Sequence, residues 1–233
     1  MNNSAIEGLP AGACGGAGES VSVQPLTLEY AAQRSGERPA GLTVAYSRNL
    51  ALGGKHADAA DFEAVRQGAR RDYSALRLNA YVAVPVGADW RLNYRVAAQS
   101  TADALVPAEQ FGLAGANAVR GYEEREITGD SGALASIELA LPAFFTPPAG
   151  APAGGFGGLR LLAFADAGVV SNRKGLSCVG AAASCHLAAF GLGARFAWGP
   201  MQGKFDLARA MTDARQTRRH DVKLHFSASL VFP

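Results

Sequence analysis

The side chains best suited to chemistry crowd into one stretch, Asn117 to Gly132 (NAVRGYEEREITGDSG), which places five charged residues between Arg120 and Glu126. Turns at Arg120-Gly121 and Gly129-Asp130, with no apolar periodicity, make it a loop rather than a strand or helix. A long loop between regular elements is a functional candidate. The chemistry it offers is recognition, because a guanidinium grips a carboxylate through two parallel hydrogen bonds that lysine cannot copy. Catalysis finds no such support. His56, His186, His220 and His225 are scattered singly, no serine stands in a nucleophile elbow, and Gly15-Gly16 and Gly154-Gly155 do not lie between strand and helix as a phosphate cradle requires. Cys178 and Cys185 are close enough to bridge across a loop in an oxidising compartment, leaving Cys14 alone; a metal site from Cys178, Cys185 and His186 lacks a fourth ligand nearby. The reading is therefore no enzyme, no cofactor and no metal.

The elements that position this loop alternate apolar and polar residues with period two. Leu76, Leu78, Ala80, Val82 and Val84 oppose Arg77, Asn79 and Tyr81; Trp90, Leu92, Tyr94 and Val96 oppose Arg91, Asn93 and Arg95. Ile137, Leu139 and Leu141 oppose Ser136 and Glu138, and two later runs, Phe190 to Trp198 and Leu224 to Phe232, repeat the pattern. The spacing predicts nine strands: 21–34, 40–50, 72–85, 88–101, 132–142, 158–170, 187–198, 203–211 and 221–232. Connections alternate short and long, with the Pro-rich stretch Ala143 to Gly157 as the exception, so the Arg120 loop falls on the long-loop edge.

Alternation alone fits a soluble sandwich that buries its apolar face or a membrane barrel that turns it to lipid. Mid-strand arginines on the polar face, and Trp90, Trp198 and Phe232 at strand ends on the apolar face, favour the barrel and its interfacial aromatic girdle. The two windows free of Asp, Glu, Lys and Arg, Leu139 to Leu159 and Gly175 to Ala194, are broken by prolines or glycines and do not read as membrane helices. Residues 1–20 have no basic or long apolar run and read as a disordered or loop segment with no signal peptide. With 48% apolar residues and a net charge of +2, the chain is neither disordered nor strongly basic. Arg215, Arg218, Arg219 and His220 read as a solvated loop, so no nucleic-acid partner is expected.

Four motifs occur in order: Val119-Arg120-Gly121-Tyr122, then Phe164-Ala165-Asp166-Ala167-Gly168, then Gly191-Leu192-Gly193-Ala194-Arg195, then Phe205-Asp206-Leu207-Ala208. Together they resemble the two-partner secretion transporters, the haemolysin secretion and activation proteins, within the outer-membrane insertase and transporter superfamily. The resemblance implies an all-β, antiparallel transmembrane β-barrel of sixteen strands, of which residues 21–233 supply the C-terminal portion of about nine. It implies a bacterial outer-membrane location and a chain that is part of a longer protein with upstream periplasmic domains. Its expected partners are a secreted haemolysin- or adhesin-like exoprotein, the lipid bilayer and the barrel-assembly machinery that reads a terminal aromatic such as Phe232. An insertase of the same superfamily is the alternative, and a soluble β-sandwich binding protein a lesser one.

The resemblance further implies that the loop folds into the lumen and that Arg120, at its tip between Val119 and Tyr122, pairs with Asp166. Glu138 is a second candidate partner, and Phe164 shares the face of Asp166, which is luminal because a carboxylate facing lipid is costly. On the residues alone, Arg120 could equally be a solvated loop residue and Asp166 a turn former. Gly121 is expected at positive φ, with Gly191 and Gly193 leaving room for the loop against the wall. Luminal water is expected to hold the cost of breaking the pair below the roughly 3 to 5 kcal/mol of a buried one.

Overall fold

A computed structural model describes residues 20–87, 89–145 and 156–230. In chain order the elements are β1 (Pro25–Arg34), β2 (Ala40–Asn49), α1 (Ala59–Val65), β3 (Ser74–Pro85), β4 (Arg91–Ser100), β5 (Phe111–Gly112), β6 (Thr128–Gly129), β7 (Ser131–Ala140), β8 (Phe156–Ser171), β9 (Ser184–Trp198), β10 (Met201–Ala210) and β11 (Val222–Leu230). Nine of the strands form one sheet in the order β1-β2-β3-β4-β7-β8-β9-β10-β11, each paired antiparallel with its chain neighbour, while β5 and β6 pair only with each other. The nine expected strands are thus present, with bounds shifted by a few residues. The expected terminal girdle residue Phe232, the N-terminal segment with Cys14 and Gly15-Gly16, and most of the Pro-rich stretch lie outside the described residues.

Three local features depart from the sequence reading. A short helix, α1, stands in the long β2–β3 connection, and the stretch read wholly as loop contributes Thr128–Gly129 to a two-residue ribbon with Phe111–Gly112. Strand β9 starts at Ser184, so Cys185 lies in a strand rather than in the preceding loop.

Register fixes the two faces of the sheet. Arg95, Ser136, Asp166, Ala189 and Ala210 are directly opposite one another across β4, β7, β8, β9 and β10, as are Asn93, Glu138, Phe164, Gly191 and Ala208 one step away. This inner face carries the β4–β7 loop: Arg77 bonds Glu109 at 2.8 Å, and Arg95 donates to the carbonyls of Asn117 at 2.6 Å and Ala118 at 3.3 Å. Arg91 shares that face by alternation. The outer face exposes Leu28, Leu76, Ile137, Leu161, Leu192, Leu207, Leu224 and Phe226, an apolar band with no covering layer among the described residues. Among the described residues no helix is long and apolar enough to cross a membrane.

The core sits on the inner face, which a wet lumen would not require. Leu113, Val119, Tyr122 and Ile127 of the loop are fully buried against Leu134 of β7, Val170 of β8, Leu187 and Ala189 of β9 and Ala210 of β10. Each such side chain contributes about 1.5 to 3 kcal/mol through the area it removes from water. A second cluster, Phe62, Tyr73, Leu105 and Val106, packs beneath α1. The loop is held as a packed plug rather than a strap lying in water.

Candidate functional site

Arg120 reaches the wall at the tip of this plug. Its Nε donates to Asp166 Oδ2 at 2.7 Å and its Nη2 to Asp166 Oδ1 at 2.8 Å, the bidentate grip expected of a guanidinium on a carboxylate. The Arg120 backbone N–H adds a third bond to Asp166 at 3.1 Å, and the Ser136 hydroxyl donates to the same carboxylate at 2.6 Å. The second terminal nitrogen donates to Glu138 Oε1 at 2.7 Å and lies 3.5 Å from Asp206 Oδ2. The guanidinium stacks 3.5 Å from the centroid of Phe164, a cation over a ring face. Burial alone would lower the pKa of Arg120; the hydrogen bonds and charges of Asp166 and Glu138 outweigh it and raise the value above that of a free arginine.

Period-two alternation explains how the wall supplies these groups. Ser136 and Glu138 are two apart on β7, and Phe164 and Asp166 two apart on β8, so all four project inward. Asp206 projects from β10 on the same face, and Arg195 of β9 joins it at 2.7 Å and Glu138 at 3.4 Å. Three carboxylates therefore share two guanidinium groups. The side chain of Arg120 is 4% exposed and that of Asp166 1%, so the expectation of a water-weakened pair is corrected. The apolar plug above the tip excludes the solvent that an open lumen would admit.

Each remaining motif residue has a structural task. Val119 is buried in the plug, and its N–H donates to the Leu113 carbonyl at 2.9 Å. Gly121 has φ +93°, where an added Cβ would lie 3.3 Å from both Ala208 Cβ and Ala210 N. Its N–H donates to His225 Nε2 at 2.9 Å, which makes that imidazole an acceptor at Nε2. The Tyr122 hydroxyl donates to the Ala188 carbonyl at 2.8 Å and accepts from the Thr212 N–H at 3.1 Å. Gly191 and Gly193 act differently from expectation. A Cβ at Gly191 would collide first with the Leu207 carbonyl oxygen of β10 and then with the Phe164 ring, and one at Gly193 with the Asp206 carboxylate, so these glycines admit the neighbouring strand and the partners of Arg120 rather than the loop itself.

A second hub, noted in the sequence only as a turn, closes the base of the loop. Asp130 has a fully buried side chain and accepts from Arg66 Nη1 at 2.6 Å and Nη2 at 3.1 Å, Leu105 N at 2.9 Å, Gln110 Nε2 at 3.3 Å and Arg173 N at 2.8 Å. Three long loops thus meet on one carboxylate. Glu126 ties in the β10–β11 connection, accepting from the backbone N–H of Gln216 and from the Thr217 N–H and hydroxyl, each of the latter at 2.7 Å. Burial pushes the Glu126 carboxyl up, but these bonds outweigh it and hold the pKa below the usual carboxylate range. Arg66 and Thr217 carried no sequence signal, whereas Asp206 had one: a carboxylate on the inward phase of an amphipathic strand.

Cys178 and Cys185 form a disulfide with a Cα–Cα distance of 6.2 Å. The Cys178 carbonyl accepts from Arg215 Nε at 3.0 Å and Nη2 at 2.7 Å, so Arg215, read as merely solvated, clasps the neighbouring loop. Among the described residues no group of three or more His, Cys, Asp and Glu side chains is arranged to hold a metal.

An antiparallel meander with an apolar outer face, and a long loop plugged into its inner face by a buried arginine, defines a transmembrane β-barrel. Residues 25–196 match the family of haemolysin secretion/activation proteins ShlB/FhaC/HecB, and the chain belongs to that family. The structure is similar to CdiB from Escherichia coli, with TM-score 0.69 and 17% identity, covering 91% of this chain and 38% of that one. CdiB from Acinetobacter baumannii gives TM-score 0.58 and 20% identity over 88% of this chain and 32% of that one. BamA from Haemophilus ducreyi lacking POTRA domains 1–3 gives TM-score 0.55 and 14% identity over 88% of this chain and 42% of that one. At these identities the likeness establishes the barrel fold, and the chain spans less than half the length of each of these structures. No curated protein matches the sequence.

Proposed function

We propose that residues 21–233 are the C-terminal part of the β-barrel of a bacterial outer-membrane transporter that secretes a haemolysin- or adhesin-like partner exoprotein. Positioning is the chemistry of this lumen: the loop obstructs the inner wall, and its tip is held by Arg120. The observation that carries the reading is the Arg120–Asp166 grip, formed through three Arg120 nitrogens and buried on both sides. A structural loop could be fixed by apolar packing alone. Burying a guanidinium among Glu138, Asp166 and Asp206 instead gives the tip one specific seat, and desolvation makes loss of either partner costly. The bilayer meets the outer apolar band, and barrel-assembly machinery is the expected route into the membrane. The test is secretion of the exoprotein by the intact transporter carrying Arg120→Ala, where a sharp fall is expected at an unchanged outer-membrane level; normal secretion refutes the role given to the tip. The likeness to BamA supports a second reading, assembly of other barrel proteins. That reading predicts that Arg120→Ala depletes unrelated outer-membrane barrels rather than one exoprotein.

A further inference from the structure

Three cations form a row across the inner wall, toward the end where β9 and β10 are joined by the tight turn at Gly199 and Pro200. Arg160 on β8 is directly opposite Arg195 on β9, and Arg195 directly opposite Lys204 on β10. With strands about 4.8 Å apart, the row spans about 10 Å. Like charges directly opposite one another destabilise a sheet, so the fold gains nothing from this arrangement. Arg195 is offset by Asp206 and Glu138. Arg160 donates to backbone carbonyls of Asp89 and Leu141 at 3.0 and 2.8 Å, and Lys204 to the Asn117 side-chain oxygen at 3.2 Å. Among the described residues neither is paired with a carboxylate. The row lines a cavity of about 490 Å³ shared with Gln202, Ser227 and Ser229.

We propose that this row is a docking site for acidic stretches of the polypeptide the transporter carries, an inference that rests on the secretion reading above. Charge complementarity selects the occupant. Two of its cations lack carboxylate partners among the described residues, and an extended chain presents same-side residues about 6.8 Å apart, so carboxylates at alternate positions reach neighbouring members of the row. On the cavity wall Gln202, Ser227 and Ser229 can hydrogen-bond to an extended backbone, while Leu159 and Phe196 offer apolar contact to its side chains. The site also touches the plug. Lys204 holds Asn117, three residues before Arg120, while Arg195 shares Glu138 and Asp206 with Arg120. A substrate carboxylate at Lys204 competes with Asn117, and one at Arg195 competes with the acids that seat the tip, so docking weakens the hold on the plug.

The test uses the intact transporter in detergent and a fluorescein-labelled peptide of alternating Glu and Ser, with its Gln-Ser counterpart as control, read by anisotropy. The Glu peptide is expected to bind more tightly than the Gln peptide, and Arg160→Gln/Lys204→Gln to weaken it about tenfold, the scale of two partly solvated ion pairs. Raising salt from about 0.1 M to about 1 M shortens the screening length from about 10 to about 3 Å and should remove most of the difference. Arg160→Glu/Lys204→Glu is expected to switch preference to a Lys-Ser peptide, a gain that misfolding cannot mimic. Equal binding of the Glu peptide to the unsubstituted and Gln-substituted transporters overturns the proposal, as does displacement of bound peptide by phosphatidylglycerol nanodiscs but not by neutral ones, which assigns the row to lipid headgroups. Secretion by the unsubstituted transporter is scored separately. A transporter that secretes but binds peptide without regard to the row refutes this inference alone, whereas one that binds through the row and secretes nothing refutes the secretion reading alone.

Discussion

Replacing Asp130 with Asn keeps the shape of the side chain and removes its charge, which makes it a sharp probe of the hub at the base of the loop. Five donors from Arg66, Leu105, Gln110 and Arg173 converge on the carboxylate. In the variant an amide NH2 must face some of those donors. The Asp130 side chain is 0% exposed and that of Arg66 13%, so solvent does little to screen the pair. Breaking a buried pair costs about 3 to 5 kcal/mol. Hydrogen exchange reads this directly, because the Leu105 and Arg173 amides both donate to Asp130. At about 1.4 kcal/mol per decade, their protection should fall about 140- to 3,700-fold. The Arg120 amide, bonded to Asp166 at 3.1 Å and sharing no partner with Asp130, should keep its protection. A fall of less than about tenfold at Leu105 and Arg173 refutes the claim that this carboxylate holds the base of the loop.

Gly121→Ala places a Cβ at φ +93°, close to Ala208 and Ala210; a cost of about 1 to 2 kcal/mol is expected, read as a roughly 5- to 30-fold loss of protection at the Arg120 amide. Because Glu126 is held below its ordinary value of 4.5, its contribution is fully present above about pH 4.5 and is lost as pH falls through the lowered value. Exchange at Thr217, corrected for its intrinsic rate, should show that loss, and Glu126→Gln should remove the pH dependence. Cys185→Ser opens a disulfide of sequence separation 7 and should cost at most about 2 to 3 kcal/mol. Protection in residues 172–183 should fall while the heat-dependent gel mobility of the barrel stays unchanged.

The wall was legible in the sequence because a strand has only two faces, and the inward phase of Ser136 and Glu138, or of Phe164 and Asp166, follows from counting by two. Arg120 and Asp166 were legible as partners only through motif order, since 46 residues separate them and no local pattern links a loop tip to a strand. The Asp130–Arg66 and Glu126–Thr217 contacts span 64 and 91 residues between irregular segments, where neither period nor propensity constrains the partner. The dry plug did leave a trace. Leu161, Leu162, Ala163 and Phe164 are apolar on both phases, as in a strand buried on both sides, and Leu162 and Phe164 are indeed buried inward. A lumen filled only with water would have kept that inward phase polar. Gly191 and Gly193 show the same limit from the other side: missing side chains predict a close approach but not which neighbour makes it.

The central claim is that one buried interaction at the loop tip controls secretion, and a double-mutant cycle on exoprotein release tests it most directly. Secretion should drop sharply in the intact transporter carrying Arg120→Ala or Asp166→Ala, and the double substitution should be little worse than either, because the same interaction is removed twice. Arg120→Lys should restore only part, since an ammonium cannot serve Asp166, Glu138 and Ser136 with a planar fork. Normal secretion by Arg120→Ala, or losses that simply add, would contradict the account.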